Sequence, residues 1–115
     1  MKIKRGEIWL AKLDPTQGSE QAGTRPIIIF QESTLSQFTT TIITIPLTTN
    51  LRRAALPTCL MIPQGQGGLN QDSVALCHQI RVLDKTRLIK KLGQLELEII
   101  ASLEKIVLFT LGYKI

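Results

Sequence analysis

Apolar residues come along this chain in short blocks bounded by turn-forming residues, until a final stretch where they recur at helical spacing. Glu7 to Leu13 reads as a strand, and Pro26 to Phe30, three isoleucines followed by an aromatic, reads as a buried one. Thr39 to Leu47 is rich in β-branched residues and reads as a third strand, with Pro46 suggesting an edge or a bulge near its end. Pro57 to Ile62 and Asp72 to Gln79 make a fourth and a fifth, and Ile80 to Leu83 continues the fifth or pairs separately. Asp84 is placed to cap a short helical turn over Lys85 to Ile89. From about Glu96 to Leu111, the residues Ile99, Ile100, Leu103, Ile106, Val107 and Phe109 fall largely at helical spacing, with Gly112 suited to follow the last turn. Many short strands followed by one amphipathic helix predict a mainly β fold, a small barrel with the C-terminal α-helix packed on the sheet.

The first two strands are joined by a long polar loop. Asp14-Pro15 opens it with turn chemistry, and Gly18 and Gly23 let Ser19, Glu20 and Gln21 sit at an exposed tip able to fold over a ligand. Arg25 stands at the base of this loop. Pro26 forces Arg25 into an extended backbone, so its side chain projects from the mouth of a rigid strand. A salt bridge from Arg25 to Glu20 or Asp14, anchoring the loop, is the structural alternative.

At 115 residues and 43% hydrophobic, the chain is large enough for one core and too small for two, so a single domain over residues 1–115 is expected. Gln64 to Asn70, QGQGGLN, is the only linker-like piece and is short enough to be a strand connection. The net charge of +5 points to nucleic acid or an acidic peptide as partner, with a solvated basic surface as the plain alternative. Neither end carries an uninterrupted apolar run long enough for a signal peptide or a membrane span, which predicts a cytoplasmic protein with no membrane partner. Cys59 and Cys77 have no CxxC partner and lie within apolar runs, so they read as buried free thiols.

The segment RGEIWLAKLDPTQGSEQAGTRPIIIF, followed in order by IPLTTN at Ile45 to Asn50, ALPTCLMI at Ala55 to Ile62 and DSVALCHQIRVLDKTRL at Asp72 to Leu88, closely resembles the MazF/PemK family of toxin endoribonucleases. The resemblance runs nearly end to end, and the first segment is highly specific. It implies an SH3-like small barrel (CcdB/PemK-like) and sequence-selective, metal-independent cleavage of single-stranded RNA. It further implies that Arg25 and Thr48 form the catalytic pair. Ser19, Glu20, Gln21 and Thr24 would contact substrate from the loop and its base, and Arg52, Arg53, His78, Gln79 and Arg81 from the other loops. The implied partners are a second copy in a homodimer, a cognate antitoxin with an acidic, partly disordered segment and, only through that antitoxin, operator DNA. A same-fold toxin that binds a protein such as DNA gyrase, or a non-catalytic repressor subunit, is the rival reading.

The residues bear on that chemistry independently. When the neighbouring 2′-hydroxyl of RNA is the nucleophile, a protein need only move two protons and stabilise a doubly charged phosphate, a task suited to the planar donors of Arg25. Thr48 follows a strand end, where its hydroxyl can face the same mouth, although TTN is also ordinary turn material. With His78 the one histidine, a two-histidine acid/base mechanism within the chain is excluded. No cluster has metal-ligand spacing, so neither metal nor cofactor is expected. Only five aromatics exist, and Trp9 reads as core or interface, so recognition should rest on phosphate contacts and polar loop groups. His78 stands where the family often carries an acidic residue, and its titration near neutrality predicts RNA affinity that responds to pH.

Overall fold

The computed structural model describes residues 2–13 and 23–114. Seven antiparallel strands, β1 (Glu7–Lys12), β2 (Thr24–Ile29), β3 (Thr41–Thr48), β4 (Cys59–Ile62), β5 (Ser73–Leu76), β6 (Arg81–Asp84) and β7 (Leu88–Gln94), precede one helix, α1 (Leu97–Thr110). The strands run in the order β4-β5-β3-β2-β1-β7, and β6 pairs with β3 off this path.

Alternation along the strands makes two hydrophobic layers. On one side Trp9, Ala11, Ile27, Ile29, Ile42, Leu83 and Leu88 form a core within the curl of β7-β1-β2-β3-β6. On the other, Ile8, Ile28, Ile45, Leu47, Ile62 and Ala75 pack against Ile100, Leu103 and Val107 of α1. The expected mainly β fold with a helix laid on the sheet is what forms. The barrel is not closed by pairing, since β6 and β7 share no ladder among the described residues. The 3-10 turn Lys85–Arg87 links them, capped by the Asp84 side chain, which accepts from the Thr86 N–H at 2.9 Å. Trp9 is core, and both cysteines are free and buried. Burial pushes the Cys77 thiol up to about 12, with the neighbouring Cys59 adding to the effect.

Several sequence expectations need correction. The turn after Asp84 ends at Arg87, and residues 88 to 94, not read as a strand, form β7 along the edge of β1. Its first residue is buried and the next three are exposed, including Lys90 and Lys91, so the pattern lacks the alternation that announces a strand; lysines on an edge strand also hinder further pairing. Phe109 lies mostly in solvent rather than in the helix's inward stripe. Of the two expectations for Pro46 the bulge is the one that forms, on the strand opposite it, for Pro46 is on an inner strand and not an edge. It pairs with Ile27 of β2 on one side, and on the other falls where β3 changes partner from β6 (Thr41 to Thr44) to β5 (Leu47 and Thr48), so its missing N–H breaks no ladder there. The chain after β3 makes an unforeseen 3-10 turn, Leu51–Ala55.

Glu7 at the start of β1 is a buried carboxylate with three donors: Lys4 N–H at 2.8 Å, Trp9 Nε1 at 3.0 Å and Lys91 Nζ at 2.8 Å. Burial alone raises a carboxyl's pKa; here Lys91, Lys4 and Trp9 outweigh it and hold Glu7 below its ordinary value. Because the folded carboxylate is harder to protonate than the unfolded one, its stabilisation is full above the unfolded pKa and is lost as pH falls through the lowered folded value. Glu7→Gln is therefore expected to lose about 2 kcal/mol at neutral pH and to flatten the acid side of the stability profile. Urea melts from pH 3 to 7 check this; an unchanged acid limb would remove Glu7 from the account.

Candidate functional site

Arg25 and Thr48 come from the two strands at the centre of the sheet. In β2, Arg25 pairs with Ala11 of β1, a fully buried small residue, and Ile27 pairs with Pro46 of β3. Continuing the β2-β3 register two residues past Ile27 and Pro46 sets Arg25 level with Thr48. Pairs directly opposite present their side chains to one face, so both belong to the face that carries Ile27 and Ile42, at its polar end. Arg25 is half-buried. Thr48, 8% exposed, pairs with Val74 of β5, and its Oγ1 accepts from the Asn50 N–H at 3.2 Å.

Asn50 continues the site. Its side chain accepts from the Arg52 N–H at 3.3 Å and so starts the turn Leu51–Ala55, which carries exposed Arg52 and half-buried Arg53 directly beyond Thr48. Thr24, exposed beside Arg25, falls by alternation on the opposite face of β2. Ser19, Glu20 and Gln21, with the turn residues Asp14, Pro15 and Gly18, lie outside the described residues.

The remaining candidates sit on an insertion. Thr48 pairs with Val74 and Leu47 with Ala75; continued unbroken, that register would bring His78 opposite Thr44. Thr44 instead pairs with Arg81. Three residues are thus inserted, the number in the 3-10 turn Cys77–Gln79, and β5 and β6 are two halves of one strand bulged opposite Pro46. A bulge re-aims the side chains it carries. Here it turns exposed His78 out over a hollow of about 230 Å³ lined by His78, Gln79, Ile80 and Arg81. Arg81 stands at the base of β6, its carbonyl accepting from Thr44 Oγ1 at 3.0 Å. Its Nη1 is buried without a hydrogen-bond partner among the described residues. His78 Nδ1 is 2.9 Å from Thr58 Oγ1 and 3.8 Å from Cys59 Sγ.

Sequence reading passed over Asn50 and Thr58. Asn50 had a local signal, a cap residue before Leu51–Ala55. Thr58 had none, because its partner His78 is 20 residues away. Arg25, Thr48, Arg52, Arg53 and Arg81 together make a polar, cationic region at one end of β3 and along its bulged flank. Such a region suits a polyanion, with planar guanidinium donors for phosphate oxygens. No group of three or more His, Cys, Asp or Glu able to hold a metal ion occurs among the described residues, and no described helix is long and apolar enough to cross a membrane.

Residues 4–110 match the family described as PemK-like, MazF-like toxin of type II toxin-antitoxin system. The chain is 44% identical over 90 residues to the endoribonuclease MazF of Staphylococcus epidermidis, covering 78% of this chain and 75% of that protein. Among solved structures it is similar to MazF of Deinococcus radiodurans, with a TM-score of 0.84 at 21% identity over 97% of this chain and 98% of that one. It is also similar to an endoribonuclease from a mycobacterial species in complex with its cognate antitoxin, with a TM-score of 0.82 at 19% identity over 98% of each chain. At such identities the structural likenesses carry the fold alone. The match over residues 4–110 and the relative at 44% identity carry more: this chain belongs to the PemK-like, MazF-like toxins of type II toxin–antitoxin systems.

Proposed function

We propose that this toxin is an endoribonuclease that cleaves single-stranded RNA without a metal, using the substrate's 2′-hydroxyl as nucleophile. The observation that carries this reading is the β2-β3 register, which, continued two residues past the Ile27–Pro46 pair, sets Arg25 and Thr48 level on one face, beside the cationic turn of Arg52 and Arg53. The relative at 44% identity, named as an endoribonuclease, supports the same chemistry. The 2′-oxygen attacks phosphorus and gives up its proton, the P–O5′ bond breaks, and the 5′-oxygen takes up a proton. A 2′,3′-cyclic phosphate and a 5′-hydroxyl result, and water opens the cyclic ester to a 3′-phosphate.

In this reaction Arg25 binds the non-bridging phosphate oxygens as charge builds on them. Its guanidinium stays protonated, so it acts as an electrostatic clamp and not as a base. Thr48, whose oxygen already accepts from Asn50 N–H, directs its own O–H to the phosphate. Arg52, Arg53, Gln79 and Arg81 line the path of the strand, and Ser19, Glu20 and Gln21 contribute further substrate contacts. The protein acts as a homodimer in the cytoplasm, and an acidic, partly disordered antitoxin segment competes with RNA for the basic face.

The deciding experiment incubates purified protein with single-stranded RNA in excess EDTA and maps the ends formed. Cyclic or 3′-phosphate and 5′-hydroxyl ends are expected, with an all-DNA strand of the same sequence intact and cleavage abolished by the antitoxin. Loss of RNA cleavage on chelation, or cutting of the DNA strand, overturns the mechanism.

A further inference from the structure

We propose that His78 and Arg81 form a phosphate subsite for the RNA strand, with Thr58 positioning the His78 ring, and that protonation of His78 tightens it. The inference rests on the RNA-cleaving reading above and concerns a part of the site away from the Arg25–Thr48 pair.

Three observations converge on the bulge. The hollow of about 230 Å³ is lined by His78 and Arg81 together. Arg81 brings a guanidinium to the wall of that hollow, and one of its donors, Nη1, has no hydrogen-bond partner among the described residues, so the fork is not fully committed to the protein. His78 brings a ring fixed at one nitrogen only: Nδ1 meets Thr58 Oγ1, and Nε2 has no hydrogen bond among the described residues. Two cationic donors around a small hollow fit a phosphate.

Thr58 suits both states of the ring. A hydroxyl can donate to Nδ1 of the neutral imidazole, which keeps the proton on Nε2, or accept from Nδ1–H of the imidazolium. Either way Nε2–H remains a donor, and protonation adds charge without turning the ring. Among elements packed on the turn, β4 brings the Cys59 thiol and β3 no ionisable side chain. Helix α1 carries Glu98, Glu104 and Lys105, with Glu104 paired to Arg5. The turn itself holds Cys77, and β6 adds Arg81. No carboxylate among the described residues is hydrogen-bonded to His78, so Arg81 is the charge that matters. A bound phosphate between the two cations favours the proton on the ring, and the proton favours the phosphate by the same factor.

The test uses a mixed-sequence single-stranded RNA with every 2′-hydroxyl methylated, which lacks the nucleophile and reports binding alone. For the wild type, affinity should rise about tenfold from pH 7.5 to 5.5. The slope of log affinity against log salt should steepen by about 0.7 over the same interval, one phosphate contact on a single strand. His78→Gln should flatten both responses. Thr58→Val should reduce the pH response and Thr58→Ser restore it, which a merely structural threonine would not do. Arg81→Gln should weaken binding at both pH values. A wild-type pH response in His78→Gln overturns the proposal, as does wild-type affinity in Arg81→Gln; if the latter variant melts early, His78→Gln decides alone. Unmodified RNA is assayed in parallel. Cleavage by a wild type whose binding ignores pH sinks only the subsite, whereas neither cleavage nor binding sinks the proposed function as well.

Discussion

Arg25→Ala is expected to slow RNA cleavage about a hundredfold, on the order of 3 kcal/mol of transition-state stabilisation, while the thermal melt stays where it was. The residue sits at the polar end of the face that Ile27 and Ile29 bury, and its partner in β1 is Ala11, so truncation leaves the layer beneath intact. Arg25→Lys should restore the charge but little of the rate, because a single ammonium cannot hold two phosphate oxygens in the fixed geometry of a guanidinium. Thr48→Ala should also slow cleavage, but less cleanly: Thr48 Oγ1 accepts from Asn50 N–H, and Asn50 starts the turn that carries Arg52 and Arg53. Thr48→Ser keeps both the hydroxyl and that hydrogen bond and should recover most of the rate. Single-turnover rates with saturating enzyme separate chemistry from binding. Wild-type turnover in Arg25→Ala, with an unchanged melt, would remove Arg25 from the site.

What the sequence made legible follows from where the signals are local. Three isoleucines after a proline, a run of threonine and isoleucine, and a helical stripe from Ile99 to Val107 each declare their element within a few residues, and each formed. Arg25 and Thr48 were readable as rim positions because Pro26 and Pro46 mark the strand ends beside them. What was hidden depends on partners distant in sequence. The bulge at Cys77–Gln79 was signalled only from the opposite strand, by Pro46; the apolar run Val74 to Cys77 continues without a break, so its place and its three added residues appear only in the pairing with β3. β7 was hidden because one neighbour and one buried residue suffice for an edge strand.

The glycines of Gln64 to Asn70 form the strand connection their composition suggested, between β4 and β5, but they do more than turn the chain. Gly67 is buried, and a methyl group on it would meet Ile8 Cδ1 at 2.5 Å. Glycine's lack of a side chain serves close approach here as much as conformational freedom.

Gly93→Ala is therefore expected to be among the most destabilising single-methyl changes in the chain. Gly93 lies in β7, where its backbone is not in the left-handed region, so the effect is steric. A Cβ there would stand 2.5 Å from the Gly67 carbonyl carbon, 2.6 Å from its oxygen and 2.8 Å from the Gly68 nitrogen. These are backbone atoms of the turn pressed against β7, and no rotamer change relieves them. A Cβ on Gly68 would likewise run into Leu92 O in the same seam, so the two segments leave no room between their backbones. Relief requires the turn to lift from β7, opening the layer where Ile8 and Leu95 are buried. The cost is about 3 kcal/mol, at the upper end for overpacking, and the midpoint of thermal melting should fall by about 10 °C or more. Gly65→Ala is the control. Gly65 has φ +96° and nothing within 4 Å of an added Cβ, so only the conformational penalty applies, about 1 kcal/mol. The order of the two melts is the measurement: if Gly93→Ala melts at or above Gly65→Ala, the seam between β7 and the turn is looser than its backbone contacts require.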